Sequence, residues 1–177
     1  MKTFKQKVVL LGSGILLSSS LEAFDNNREG FFVSLGAGVS QTSHRPYESS
    51  NSHTGFGTSQ KIGYGLTNQW IVHLTREDSW FKYDSDQYVS CVLGFGATYY
   101  LSENKGSLFF SASLGAGSFN NIDTDKNKFG PGVSLSVGYE MLEHLNAEIT
   151  FMAADVEIDD KQVDPATFKM GISYSWY

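Results

Sequence analysis

Residues 129–141 read FGPGVSLSVGYEM, with Val133, Leu135, Val137 and Tyr139 at alternate positions and Gly130, Gly132, Ser134, Ser136 and Gly138 between them. A repeat of two residues is that of a β-strand, whose successive side chains point to opposite faces. One face here is bulky and apolar; the other carries nothing larger than serine until Glu140. The segment before it, Ser107 to Phe119, repeats the pattern, setting Leu108, Phe110, Ala112 and Leu114 against Ser111, Ser113, Gly115 and Gly117. A soluble barrel that carries a ligand turns its bulky residues inward and its charges to water. A row of glycine and serine is no such charged surface, but it suits the narrow interior of an eight-stranded barrel, which side chains fill. The apolar row then faces lipid. Neither segment carries a lysine or arginine, which at the membrane midplane would cost about 2–4 kcal/mol.

Working outward, six further segments share the alternation: Gly30 to Ser40, Gly55 to Leu66, Gln69 to Arg76, Tyr88 to Leu101, Leu145 to Ala154 and Ala166 to Tyr177. Tilted strands cross a bilayer in about 9–11 residues, so the set is long enough, with the third and seventh the shortest. The connections alternate between tight turns (Thr67-Asn68, Ser102 to Gly106, Leu142 to His144) and long polar loops (Gln41 to Thr54, Glu77 to Gln87, Asn120 to Lys128, Asp155 to Pro165). Outer-membrane barrels keep short turns in the periplasm and long loops outside. The expected fold is therefore all-β, an eight-stranded antiparallel up-and-down transmembrane β-barrel with both chain ends in the periplasm. Trp70, Tyr99, Tyr139, Tyr174 and Trp176 are expected in a girdle on the short-turn side, and Phe31, Phe56 and Trp80 on the long-loop side.

The start of the chain sets the compartment. Lys2, Lys5 and Lys7 precede a short apolar run from Val8 to Leu17 and a small-residue stretch ending at Ala23. This is the layout of a cleaved secretory signal, too short to span a bilayer as a helix. Residues 1–23 are expected to be removed, leaving 24–177 as one barrel domain. The whole chain carries a formal charge of −6, which argues against a nucleic-acid partner. Its single cysteine, Cys91, makes no intramolecular disulfide and is expected to face lipid as a small hydrophobe.

The last segment ends Lys169-Met170-Gly171-Ile172-Ser173-Tyr174-Ser175-Trp176-Tyr177. A polar residue, a glycine two positions on and closing aromatics resemble the assembly signal of outer-membrane barrels, carried here by Lys169, Gly171, Tyr174, Trp176 and Tyr177. The mature chain is similar in pattern to the OmpA/OmpX-like and opacity-protein type of small barrel. That resemblance implies residence in the outer membrane of a Gram-negative bacterium, among phospholipid and lipopolysaccharide. It also implies escort by periplasmic chaperones and insertion by the barrel-assembly machinery. Small barrels of this type serve as anchors, adhesins, resistance factors and, less often, lipid-modifying enzymes.

Alternation directs Lys61, His73, Thr75, Glu140, Glu148 and Lys169 inward, where charges in a narrow barrel are expected to form a luminal ion network. Lys61 is expected to meet His73 and Thr75, with Glu140 and Glu148 as partners for Lys169 or Lys61. His73 and Thr75 also have the i, i+2 spacing of a lipid A-modifying hydrolase dyad, but a threonine facing the lumen suits that chemistry poorly, and no catalytic residues are assigned. A narrow solute channel is the other alternative. The loops are acidic and aromatic: Glu77, Asp78, Asp84 and Asp86 surround Trp80, Phe81 and Tyr83, and Asp155, Glu157, Asp159, Asp160 and Asp164 crowd the last loop. Residues 123–127 lack the glycine and closing glutamate of a calcium loop, and His44, Arg45, Tyr47 and His53 lack metal-site spacing, so no cofactor or metal is assigned. The function expected is a structural or surface-interaction role, in adhesion or envelope integrity, exerted by the loops on a host or surface ligand.

Overall fold

The computed structural model describes residues 27–44, 51–84, 86–122, 126–158 and 161–177; the expected leader lies outside them. The strands are β1 (Gly30–His44), β2 (Asn51–Gly65), β3 (Trp70–Tyr83), β4 (Asp86–Tyr100), β5 (Leu108–Asn121), β6 (Lys126–Leu142), β7 (Leu145–Ala154), β8 (Val156–Ile158), β9 (Lys161–Val163) and β10 (Ala166–Trp176). Eight of them close into a barrel in the order β1-β10-β7-β6-β5-β4-β3-β2, and β8 and β9 form a separate small hairpin between β7 and β10. The seam joins the first barrel strand to the last, with antiparallel register from Val33↔Trp176 to Ser43↔Ala166. Closure satisfies every strand edge, which lipid cannot do.

The turn between β2 and β3 is held by Thr67, whose hydroxyl oxygen accepts from the Gln69 and Trp70 amides at 3.2 and 3.0 Å. In the turn from β6 to β7, His144 takes the left-handed backbone at φ 67°. On the opposite side the strands run on where long loops were expected. β3 continues seven residues past Arg76, so Glu77 and Asp78 belong to the sheet and not to a loop. Their charges disguised the alternation, yet each is neutralised in place, Glu77 by Lys169 and Asp78 by Arg76. Phe31 is also corrected: it pairs with Tyr64 at the short-turn end, because β1 enters from that side.

Sidedness follows the small-residue rows. Phe95 and Leu114 are 78% and 72% exposed on the outer face, while Ser113 and Ser134 are buried and share a 2.6 Å hydrogen bond inside. Trp70 with Tyr99, and Tyr174 with Trp176, lie in contact on the short-turn side, each pair with ring centroids 4.7 Å apart. Phe56 with Trp80, and Phe151 with Phe168, mark the other side at 6.2 and 5.1 Å. The ten residue steps from Trp70 to Trp80, tilted by about 40°, rise about 25 Å, the height of a lipid-facing band.

An apolar cluster stands at each end of the lumen. Phe32, Ile71, Tyr100, Phe109 and Tyr177 fill the mouth on the short-turn side. Phe81, Phe119, Ala154 and Val156 fill the other, with Tyr88 packed against them. Gly138 permits the first plug, because a Cβ there would lie 2.2 Å from the Phe109 ring, its partner in register.

Candidate functional site

Between the plugs the interior is polar and tightly paired. Lys61 on β2 reaches Glu148 on β7 at 3.1 Å, three strands away around the wall. Lys169 on β10 likewise spans three strands to Glu77 on β3, and its ammonium also donates to the Thr58 carbonyl at 2.8 Å. The route is cleared by Gly57, where a Cβ would lie 2.4 Å from Lys169 Cδ. Glu77 accepts further from Ser59 at 2.8 Å and from Thr75 at 3.4 Å. The third pair joins Glu140 on β6 to Arg28, which precedes β1. Charges this enclosed are tolerable only when paired and hydrogen-bonded.

Arg28 does more than neutralise Glu140. Its guanidinium donates to the carbonyls of Asn68, Ser102, Glu103 and Asn104 at 2.9–3.3 Å, and lies 4.1 Å over the Tyr100 ring. One side chain therefore ties the entering segment to two turns and to the plug. Tyr177 completes that plug from inside: its hydroxyl meets that of Tyr100 at 2.9 Å, and its ring stacks on Phe32. Tyr174 and Trp176 face outward, while Gly171 faces Gly38 across the seam, with no room for a Cβ.

Some partners differ from those expected. Lys169 meets Glu77 and not Glu140 or Glu148, because the shear of the barrel brings β10 over β3. Lys61 and Thr75 are register partners, but the His73 ring turns away from Thr75: its Nε2 contacts the Thr98 and Ser111 hydroxyls at 3.0 and 3.3 Å. His73 Nδ1 has no hydrogen-bond partner, so no carboxylate orients the ring, and Thr75 donates instead to Glu77. His73 and Thr75 therefore form no dyad in this arrangement. Sequence reasoning missed Glu77 and Arg28. Odd-numbered inward positions from Ile71 to Phe81 were the available signal for the first; nothing in the alternation marks the second.

Among the described residues, no group of three or more His, Cys, Asp or Glu side chains is disposed to hold a metal ion. Residues 123–125 of the calcium-like stretch 123–127, and Arg45, Tyr47, Asp159 and Asp160, lie outside those residues.

No family model matches the chain, and no curated protein matches it by sequence. Solved structures do. Neisserial surface protein A superposes with a TM-score of 0.59 at 17% identity, over 82% of this chain and 96% of that one. Ail, the attachment invasion locus protein of Yersinia pestis, gives 0.57 at 17% identity, over 84% and 99%. Ail in complex with the heparin analogue sucrose octasulfate gives 0.56 at 15% identity, over 83% and 99%. A closed barrel with a greasy outer band, two aromatic girdles and these structural neighbours has the architecture of the small, OmpA/OmpX-like outer-membrane β-barrels.

Proposed function

We propose that this protein is a surface-interaction barrel of the outer membrane, displaying hairpins to the exterior on a closed and rigid stem. The observation that carries this reading is the filled lumen: an apolar cluster stands at each end of a stack of buried ion pairs. What remains available to a partner is the outer rim. There β1 and β2 run paired beyond Phe56 to His44↔Asn51, and the rings of half-buried His53 and exposed Tyr83 pack against each other, His53 stacking on the buried Phe81 and Tyr83 touching Tyr88. Rigid aromatic side chains on paired strands give contact area at low entropic cost. The likeness to Ail, solved with a sulfated ligand, supports a host or surface glycan or protein as the class of partner. The same reading has a leader removed after Ala23, chaperone escort through the periplasm, and assembly-machinery recognition of the strand ending at Tyr177.

Deleting Tyr83 to Gln87, or Glu157 to Asp164, is expected to leave the heat-sensitive gel mobility of a folded barrel while abolishing attachment of cells that display the protein. Attachment retained by both deletions would reject the reading. Planar-bilayer recording is expected to show no conductance; steady single-channel steps would favour the channel alternative.

A further inference from the structure

The lipid-facing surface has one polar interruption. Among the described residues, Arg76 and Asp78 on β3 are the only charged side chains on the outer face between the two girdles. They form an ion pair in which Arg76 Nε donates to both Asp78 oxygens at 3.1 and 2.9 Å. The partners differ in access: the Asp78 side chain is 1% exposed and the Arg76 side chain 51%. Thr58 on β2 donates to the carboxylate at 3.5 Å, and the Cys91 thiol on β4 lies against the pair. Exposed Gln60 is the register partner of Arg76, and exposed Lys82 stands on the same face beyond Trp80.

This geometry has a direction. Arg76 bends toward the loop side to reach Asp78, two residues short of Trp80, which brings its head within about 5 Å of the outer girdle. Arginine stems lie along apolar surface while the head seeks the interface. The carboxylate takes the Nε edge of the guanidinium and the Cys91 thiol lies beside it, while the arginine side chain as a whole stays half exposed, so its terminal nitrogens are not claimed by Asp78. Those nitrogens form the fork that recognises phosphate oxygens in pairs. A second copy of the chain is a poorer occupant, since a two-fold contact would need Asp78 presented outward, and it is shielded.

We propose that the outer face of β3 binds the phosphate of a glycolipid in the outer leaflet, with Arg76 as its fork, Gln60 beside it, and Lys82 balancing further headgroup charge. Asp78 acts as the positioning residue that holds the fork.

The test uses the full barrel refolded in detergent and native mass spectrometry with bisphosphorylated lipid A, enzymatically dephosphorylated lipid A, or inorganic phosphate. Wild type is expected to retain one bisphosphorylated lipid. Removal of the lipid phosphates, or Arg76→Gln, is expected to weaken retention by about tenfold, the scale of one charge-assisted hydrogen bond. Lys82→Gln is expected to weaken it less, and Asp78→Asn to leave the charge attraction in place with a looser fork, seen as faster release. Unboiled gel mobility confirms that each variant is folded, and the dephosphorylated lipid tests the wild type without any substitution. Equal retention of both lipids, unchanged retention by folded Arg76→Gln, or displacement by millimolar inorganic phosphate would overturn the proposal. Symmetric crosslinks between copies at Gln60 positions would overturn it in favour of a dimer contact.

Discussion

Glu77 and Asp78 are consecutive carboxylates on one strand, and the sheet separates them completely. Glu77 points into the lumen and is met by a lysine from three strands away; Asp78 points outward and is met by an arginine two residues back. The inner pair depends on the closed barrel, because its partners come together only when β10 lies in place. Both members of the outer pair lie on β3, and the strands beside it add only the Thr58 hydroxyl and the Cys91 thiol. The two pairs therefore have different weights: the inner one holds the architecture, and the outer one decorates a finished wall.

Glu77→Gln, which leaves Lys169 enclosed without its counter-charge, is expected to lower the unfolding free energy by about 3–5 kcal/mol. Urea titration in lipid vesicles measures this, and the double substitution Glu77→Leu with Lys169→Met should recover most of the loss. A loss no larger than that of an exposed hairpin substitution would erase the distinction drawn between the pairs. Leu114→Arg puts a bare cation on the lipid side of β5, with no carboxylate beside it, and is expected to cost about 2–4 kcal/mol by the same titration. Gly57→Val crowds the stem of Lys169 without touching its charge and is expected to cost about 1–3 kcal/mol. The smallest effect belongs outside: Arg76→Leu with Asp78→Leu replaces the local pair by apolar surface near the interface and is expected to stay within about 1 kcal/mol of wild type. A larger drop would mean that the outer pair also supports the wall.

Much of the wall was legible in the chain, because a lipid-facing row and a luminal row differ in size at every second residue. Strands such as β5 and β6, with serine and glycine on one side, announce both their period and their direction. β3 was cut short in that reading for a physical reason: a run of Arg76, Glu77 and Asp78 resembles a solvated loop unless the partner of each charge is known. Those partners depend on the tilt and stagger of the closed sheet, which no single segment records. Arg28 was illegible for a different reason. It belongs to no strand, and its role arises from carbonyls at two turns that only the folded mouth brings together. Tyr177 reads as one residue too many on the outward face; turned inward, it closes the plug.

The bond between Lys169 and Glu77 also bears on the order of synthesis. The acid is translated long before the base, so a nascent or prematurely ended polypeptide lacking β10 holds an unanswered anion at its centre. A smaller cylinder closed by such a fragment would enclose Glu77 without its counter-charge, at a cost of about 3–5 kcal/mol, so completeness is favoured by the stability of the final state.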